Sequence, residues 1–263
     1  MRRSEELLRI GGHDAMLDAK HSTGRRVGRI SGRVFGWSPG DIIALRGNTI
    51  VSGSLTQEKA LIFRIAHRDN VPWIMANGMS CRNSTIRDPG FVAIGNAELI
   101  DKRHYRPVPC SPHGTLSDYV PFYFTPITPM FLNIKTGFNG VRQRTLDEIV
   151  IFVSSLHKLR AGAVPFLFTD RHAYLAAAQF SDDLRMLGWI DWDLLRRRDF
   201  RKDPEDPAKV ERYQAEALIH QHLPASVIMG IVCYNSSVAD WVQSEASAQR
   251  RAIKVIAKSE WYV

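Results

Sequence analysis

Arg212-Tyr213-Gln214-Ala215-Glu216-Ala217-Leu218-Ile219 sets a carboxamide and a carboxylate two residues apart at the head of an apolar run. On a strand the two side chains share a face, whereas on a helix they diverge by about 200°. The first arrangement offers a substrate an anion with a polar neighbour. The second leaves Glu216 on the solvated face of an amphipathic helix. Other chemistries are missing from the chain. There is no G-x-x-x-x-G-K-S/T phosphate loop, no H-E-x-x-H zinc helix, no G-x-S-x-G nucleophile elbow and no kinase motif set. The Gly28/Gly32/Gly36/Gly40 spacing follows no convincing strand and is no phosphate loop either. His220-Gln221-His222 supplies two imidazoles that would share a strand face, but with no third ligand a metal is not expected. Cys81, Cys110 and Cys233 lie far apart and form no C-x-x-C, which argues against a disulfide framework and for a reducing, cytoplasmic setting.

The elements that must position such residues come from periodicity. Leu61–Ala66, Tyr119–Thr125, Glu148–Ser154, Pro165–Thr169, Ser226–Tyr234 and Ile253–Trp261 read as strands, with Pro121 placing the second at an edge or a bulge. Asp69 is positioned to cap a short helix, Asn70–Asn77, that stops at Gly78. A helical stripe runs over His172–Leu187, a second helix over Asp191–Arg198 and a third from Ser236 or Ser237 to Arg251. Residues 80–118, with prolines at 89, 107, 109 and 112, and Lys202–Lys209 read as loops. Strands and helices mix without regular alternation, so the expected class is α+β and not a doubly wound α/β sheet.

The whole chain has 263 residues and a net charge of +8. The apolar run Ile149–Val153 is five residues, far short of the roughly 20 that span a bilayer, so no membrane is expected. The start, Met1-Arg2-Arg3-Ser4-Glu5-Glu6, holds no apolar segment and reads against a secretory signal. Residues 1–54 hold nine Lys/Arg against five Asp/Glu, so +4 of the excess falls in a fifth of the chain. Glycines and arginines interleave there with no sustained stripe. The expectation is a weakly ordered basic N-terminal extension, 1–54, followed by one domain over 55–263. A basic balance favours polyanionic partners.

Five blocks carry a more specific signal. They are Phe63-Arg64-Ile65-Ala66-His67-Arg68-Asp69-Asn70 with Trp73, Ile74 and Gly78; Asp118-Tyr119-Val120-Pro121-Phe122-Tyr123-Phe124-Thr125-Pro126 with Pro129-Met130; Val164-Pro165-Phe166-Leu167-Phe168-Thr169-Asp170-Arg171-His172; Ile190-Asp191-Trp192; and Gln214–Glu216. In order and spacing they resemble the DarT family of DNA ADP-ribosyltransferase toxins, the thymidine-modifying branch most of all. The resemblance runs from about Leu55 to Val263.

That resemblance implies an ADP-ribosyltransferase fold, with split mixed β-sheets and flanking helices around an NAD cleft. It implies transfer of ADP-ribose from NAD, a co-substrate, to a base in single-stranded DNA. Guanosine, RNA or protein acceptors, or a non-catalytic nucleic-acid-binding module, are the alternatives. It further implies a macrodomain-type antitoxin as partner. Glu216 matches the family's catalytic glutamate. Arg103 matches an arginine needed for activity, with Arg106 as the rival register. His172 matches a third functional position, able to take a proton or to orient the DNA. Arg64, Ile65, Ala66, His67, Asn70, Trp73, Cys81, Arg103 and Tyr123 are expected around NAD, His67 having the alternative of a plain helix cap. Gln214, Arg171, Arg196, Arg197, Arg198, Arg201 and Lys202 are expected on the acceptor side. On this reading the fold tolerates Glu216→Ala.

Overall fold

The computed structural model describes residues 55–262. The basic stretch 1–54 lies outside them. In chain order the strands are β1 (Leu61–His67), β2 (Met79–Ser80), β3 (Tyr119–Tyr123), β4 (Ile149–Ser155), β5 (Phe166–Thr169), β6 (Phe180–Ser181), β7 (Glu216–His220), β8 (His222–Leu223), β9 (Gly230–Cys233) and β10 (Lys254–Ala257). The helices are α1 (Val71–Asn77), α2 (Ala97–His104), α3 (Pro129–Thr136), α4 (Leu156–Ala161), α5 (Trp192–Arg197), α6 (Lys209–Tyr213) and α7 (Ser236–Ala248). The main sheet runs β10-β9-β4-β1-β3-β7-β5-β6, and β2 pairs with β8 in a small second sheet. Every pairing is antiparallel except β9 with β10, which α7 joins as a crossover. This is the expected α+β mixed sheet with flanking helices.

The central strands are buried on both faces, which is why they read as unbroken apolar runs and not as alternations. Along β1, Ile62 and Ala66 enter one hydrophobic cluster while Leu61, Phe63 and Ile65 enter another. Along β4, Val150 and Phe152 face the first cluster, and Ile149, Ile151 and Val153 the second. The sheet nevertheless has a seam. β1 is zipped to β4 over all seven of its residues, but it meets β3 through the single pair Phe63 with Tyr123. β3 then pairs fully with β7. The eight strands are therefore two four-stranded halves touching at one rung. Pro121 lies on β3 beside that seam, where its missing N–H removes no cross-sheet bond. Its carbonyl instead accepts from Arg64 Nη1 at 2.6 Å.

Several sequence-based expectations change. His172–Leu187 is not a helix; it is turns, β6 and a 3₁₀ segment, Leu184–Trp189. Its amides are drawn elsewhere: Ala173 N–H donates to the Glu216 carboxylate, Tyr174 N–H to His172 Nδ1 and Gln179 N–H to Asp170. The long loop 80–118 contains α2, which buries no residue and so shows no apolar stripe. It is capped by Asn96 and braced by Arg82, which donates to the Ile100 carbonyl at 2.8 Å. His67, not Asp69, caps the turn before α1, accepting from the Asp69 N–H. Helices α3, α4 and α6 were not anticipated. The strand expected over Ser226–Tyr234 narrows to β9 behind a 3₁₀ turn. Gln221 takes a left-handed φ of 57°, so His220 and His222 belong to two different strands.

Candidate active site

Glu216 is the first residue of β7 and lies in register with Tyr123, which is in register with Phe63. The carboxylate thus sits on the one rung that bridges the two half-sheets. It is 1 % exposed. Arg103, near the end of α2, reaches it from outside the sheet: Nη1 lies 2.9 Å from Oε2 and 3.2 Å from Oε1. Ala173 N–H donates to Oε1 at 3.0 Å, and His172 Nδ1 stands 3.6 Å from the same oxygen. The backbone is pinned as well, because Glu216 N–H donates to Thr169 Oγ1 at 3.1 Å and that hydroxyl donates to the Arg171 carbonyl at 2.6 Å. A buried carboxylate is costly without partners, and here a guanidinium and a backbone amide meet its oxygens. Arg106 does not take this place. Its Nη2 donates to the Leu175 carbonyl at 3.0 Å, holding the loop that carries His172.

The charges around Glu216 are ordered. Burial pushes the Arg64 guanidinium down to about 10, with Tyr123 acting upward and Arg103 downward, so at neutral pH it remains a cation. Burial, and then the Glu216 charge, hold the Tyr123 phenol well above its ordinary value, so it is a neutral donor. Burial pulls His172 below its ordinary value against the opposing pull of Glu216. Because His172 Nδ1 accepts the Tyr174 N–H at 3.2 Å, the neutral ring carries its proton on Nε2. The ring therefore offers a donor and not a base. Arg103 Nη2 is buried with no partner among the described residues. An orphaned charged donor of that kind is costly, and it suits an oxygen-rich, anionic substrate such as a dinucleotide.

Of the residues expected around NAD, the structure gathers Arg64, Arg103 and Tyr123 with Glu216 and His172. Ile65 and Ala66 lie beyond the rung on β1, where β3 no longer pairs. The others take structural partners. His67 is held by the Asp69 N–H at one ring nitrogen and by Glu148 at 3.3 Å at the other, which is the cap alternative. The Asn70 carboxamide is used on both sides by the Val92 backbone. Cys81 is buried with its N–H on the Gln221 carbonyl, and Trp73 is half-buried on α1.

On the acceptor side Gln214 is not on the Glu216 strand face. It ends α6, and its carboxamide donates to the Val210 carbonyl. Arg171 pairs with Asp170 at 3.0 Å and Glu211 at 3.5 Å. Arg196 is tied to the Leu55 carbonyl and to Asp193, Arg198 ends α5 in a left-handed turn, and Arg201 pairs with Asp199. Arg197 and Lys202 are exposed and have no hydrogen bond or ion pair among the described residues. Between them and the glutamate, Lys209 with Asp199 and Arg212 with Asp206 and Asp191 close the loop by ion pairs. Thr169, Asp170 and Ala173 were not singled out from the sequence as site residues. Thr169 and Asp170 do fall inside the Val164–His172 block, as a polar pair closing an apolar strand.

Among the described residues no group of three or more His, Cys, Asp or Glu is arranged to hold a metal, and no helix is long and apolar enough to cross a membrane. The family described as "ssDNA thymidine ADP-ribosyltransferase, DarT" matches residues 63–263. A DNA ADP-ribosyl transferase of Escherichia coli O127:H6 is 50% identical over 211 residues, 80% of this chain and 97% of that protein. Thermus sp. 2.9 DarT in complex with ADP-ribosylated ssDNA superposes with a TM-score of 0.72 at 30% identity, over 78% of this chain and 97% of that one. The same Thermus protein in complex with NAD+ gives a TM-score of 0.67 at 30% identity, over 78% and 98%.

Proposed function

The chain belongs to the DarT family, and on that premise we propose that the Glu216–Arg103 pair is the centre at which ADP-ribose passes from NAD to a thymidine base in single-stranded DNA. The bond between nicotinamide and the ribose breaks, nicotinamide leaves, and a bond from the ribose to the base forms as the base gives up its proton to water. The observation that carries the reading is a buried carboxylate, doubly held, on the rung where the sheet splits. There it faces positive charge developing on the ribose, in a site whose dipoles are already oriented. Arg103 is a guanidinium and stays protonated at any physiological pH, so it acts by charge and not as a base. Its unpartnered Nη2 supports a contact with a substrate oxygen, either on the pyrophosphate or on the base as its proton leaves. Arg64 supplies a second cation for the dinucleotide, Tyr123 a neutral ring for the nicotinamide, and His172 a donor that orients the base. The unpaired edge of β1 at Ile65 and Ala66 suits the nicotinamide amide. Arg197 and Lys202 are the cations free to meet DNA phosphates. The family resemblance supports a macrodomain-type antitoxin as partner, and the three free, widely spaced cysteines support a reducing cytoplasm as the place of action.

Single-stranded oligonucleotides with and without thymidine, incubated with NAD and read by mass spectrometry alongside nicotinamide release, test this. An adduct of one ADP-ribose confined to thymidine-containing strands is expected. Adducts on thymidine-free strands, or nicotinamide release with no DNA adduct, would overturn it.

A further inference from the structure

α2 is an eight-residue helix that buries nothing, so the core gives no reason for it. Its last turn and the residues after it alternate in direction. Arg103 turns inward to Glu216 and Arg106 inward to the Leu175 carbonyl. Tyr105, between them, turns outward and is 81 % exposed, more than any other large hydrophobic residue among those described. Its ring meets His104 edge-on, with centroids 5.2 Å apart and planes at 89°. The backbone is held on both sides: Tyr105 N–H bonds to the Lys102 carbonyl and Arg106 N–H to the Arg103 carbonyl. A flat aromatic face, its backbone held and its ring edge-on to His104, thus stands two residues from Arg103, open to solvent, just past the end of a helix held by a cap and an arginine brace. Charge is not the attraction here, since Lys102 pairs with Glu98 and Arg82 with Asp101.

We propose that Tyr105, braced by His104, is a stacking platform for an unpaired base of the acceptor strand next to the modified thymidine. This rests on the proposed transfer to single-stranded DNA. Every base presents a π-face, so the platform steadies the strand in the cleft without reading its sequence. Fixing the neighbour of the reacting nucleotide is what converts loose DNA binding into a set distance between base and ribose.

The test is equilibrium binding of labelled single-stranded oligonucleotides to wild type, Tyr105→Ala, Tyr105→Phe and Tyr105→Trp, with a series in which each nucleotide near the thymidine is made abasic. Unfolding temperatures of the four proteins should coincide, because the ring is exposed. Tyr105→Ala should raise Kd roughly 5- to 150-fold, the size of one base–aromatic stack, and Phe or Trp should restore it. One abasic position should weaken the wild type by a similar factor and leave Tyr105→Ala unchanged. Equal Kd for wild type and Tyr105→Ala, or abasic effects identical in both, overturns the platform; Tyr105 would then belong to a protein-facing surface. Adduct formation is scored on the same samples. Intact transfer with no stacking effect removes the platform alone, whereas stacking without transfer removes the functional reading and keeps the platform.

Discussion

Glu216→Ala is expected to cost stability as well as activity. The sequence-based expectation that the fold tolerates this change rests on Ala suiting either secondary structure and removing no core volume; the structure adds a buried ion pair, with the Glu216 side chain 2 % exposed and that of its partner Arg103 11 %. Removing one member leaves the other charge buried and uncompensated, which typically costs about 3–5 kcal/mol. For a domain of this size each kcal/mol lowers Tm by about 2–4 °C, so a fall of roughly 6–20 °C follows from those two ranges. Arg103→Met should fall by a comparable amount. The double variant removes both charges and should be clearly more stable than the sum of the singles, with a coupling on the order of 2–3 kcal/mol. Glu216→Gln keeps the shape and one acceptor oxygen, so it should lose less stability yet still lose at least about 100-fold in transfer. Denaturant unfolding of the four proteins in the cycle, with oligonucleotide adducts counted in parallel, decides the matter. Additive stability losses would show that the pair is not energetically buried. More than about a tenth of wild-type transfer in Glu216→Gln would show that the carboxylate is not the group facing the ribose.

His172→Gln, which keeps a donor near the Nε2 position, should retain much more transfer than His172→Ala; equal loss would make the ring a base after all. Burial lowers His172, so the ring is neutral above its folded pKa; protonation below it keeps the Nε2 donor but puts a proton on Nδ1, where the Tyr174 N–H is accepted, so the ring is displaced and activity should drop as pH falls, with that acid limb missing in the Gln variant. Of the arginine cluster, only Arg197 and Lys202 are expected to touch phosphates, so Arg197→Gln and Lys202→Gln should each make the slope of log K against log salt shallower by roughly 0.7 at unchanged Tm; unchanged slopes would remove them from the DNA path. Deleting residues 1–54 should leave a folded, active enzyme, because the matching family covers residues 63–263, all of them within 55–263; loss of soluble or active protein on truncation would count against a domain over 55–263.

What the sequence allowed to be read follows from where the free energy is local. Strands buried on both faces announce themselves, and the strand expected over Glu148–Ser154 lies within one residue of β4, Ile149–Ser155. α2 could not be read because nothing in it is buried, and the amphipathic stripe is the only sign of a helix that periodicity can see. The site was legible as residue types in family-like blocks, and Arg64, Arg103, Tyr123, His172 and Glu216 do converge. What could not be read was who holds whom. His67 and Asn70 sit in the best-matched block, yet their polar atoms are taken by Glu148 and by the Val92 backbone. Three adjacent arginines look equivalent in sequence, but Arg196, Arg197 and Arg198 differ because one is bonded to Leu55, one is free and one ends a helix.

The stretch from Ala173 to Gln179 has a further meaning. Tyr174-Leu175-Ala176-Ala177-Ala178 is good helix-forming sequence, and it is kept out of a helix by amide bonds to Glu216, His172 and Asp170. Local preference and tertiary structure disagree there, where a backbone amide is aimed at the Glu216 carboxylate. Glu216, with His172 and Asp170, is one of three groups that hold the segment in this shape. A change at Glu216 therefore releases one of those bonds, and the shape of the cleft wall follows the state of that side chain.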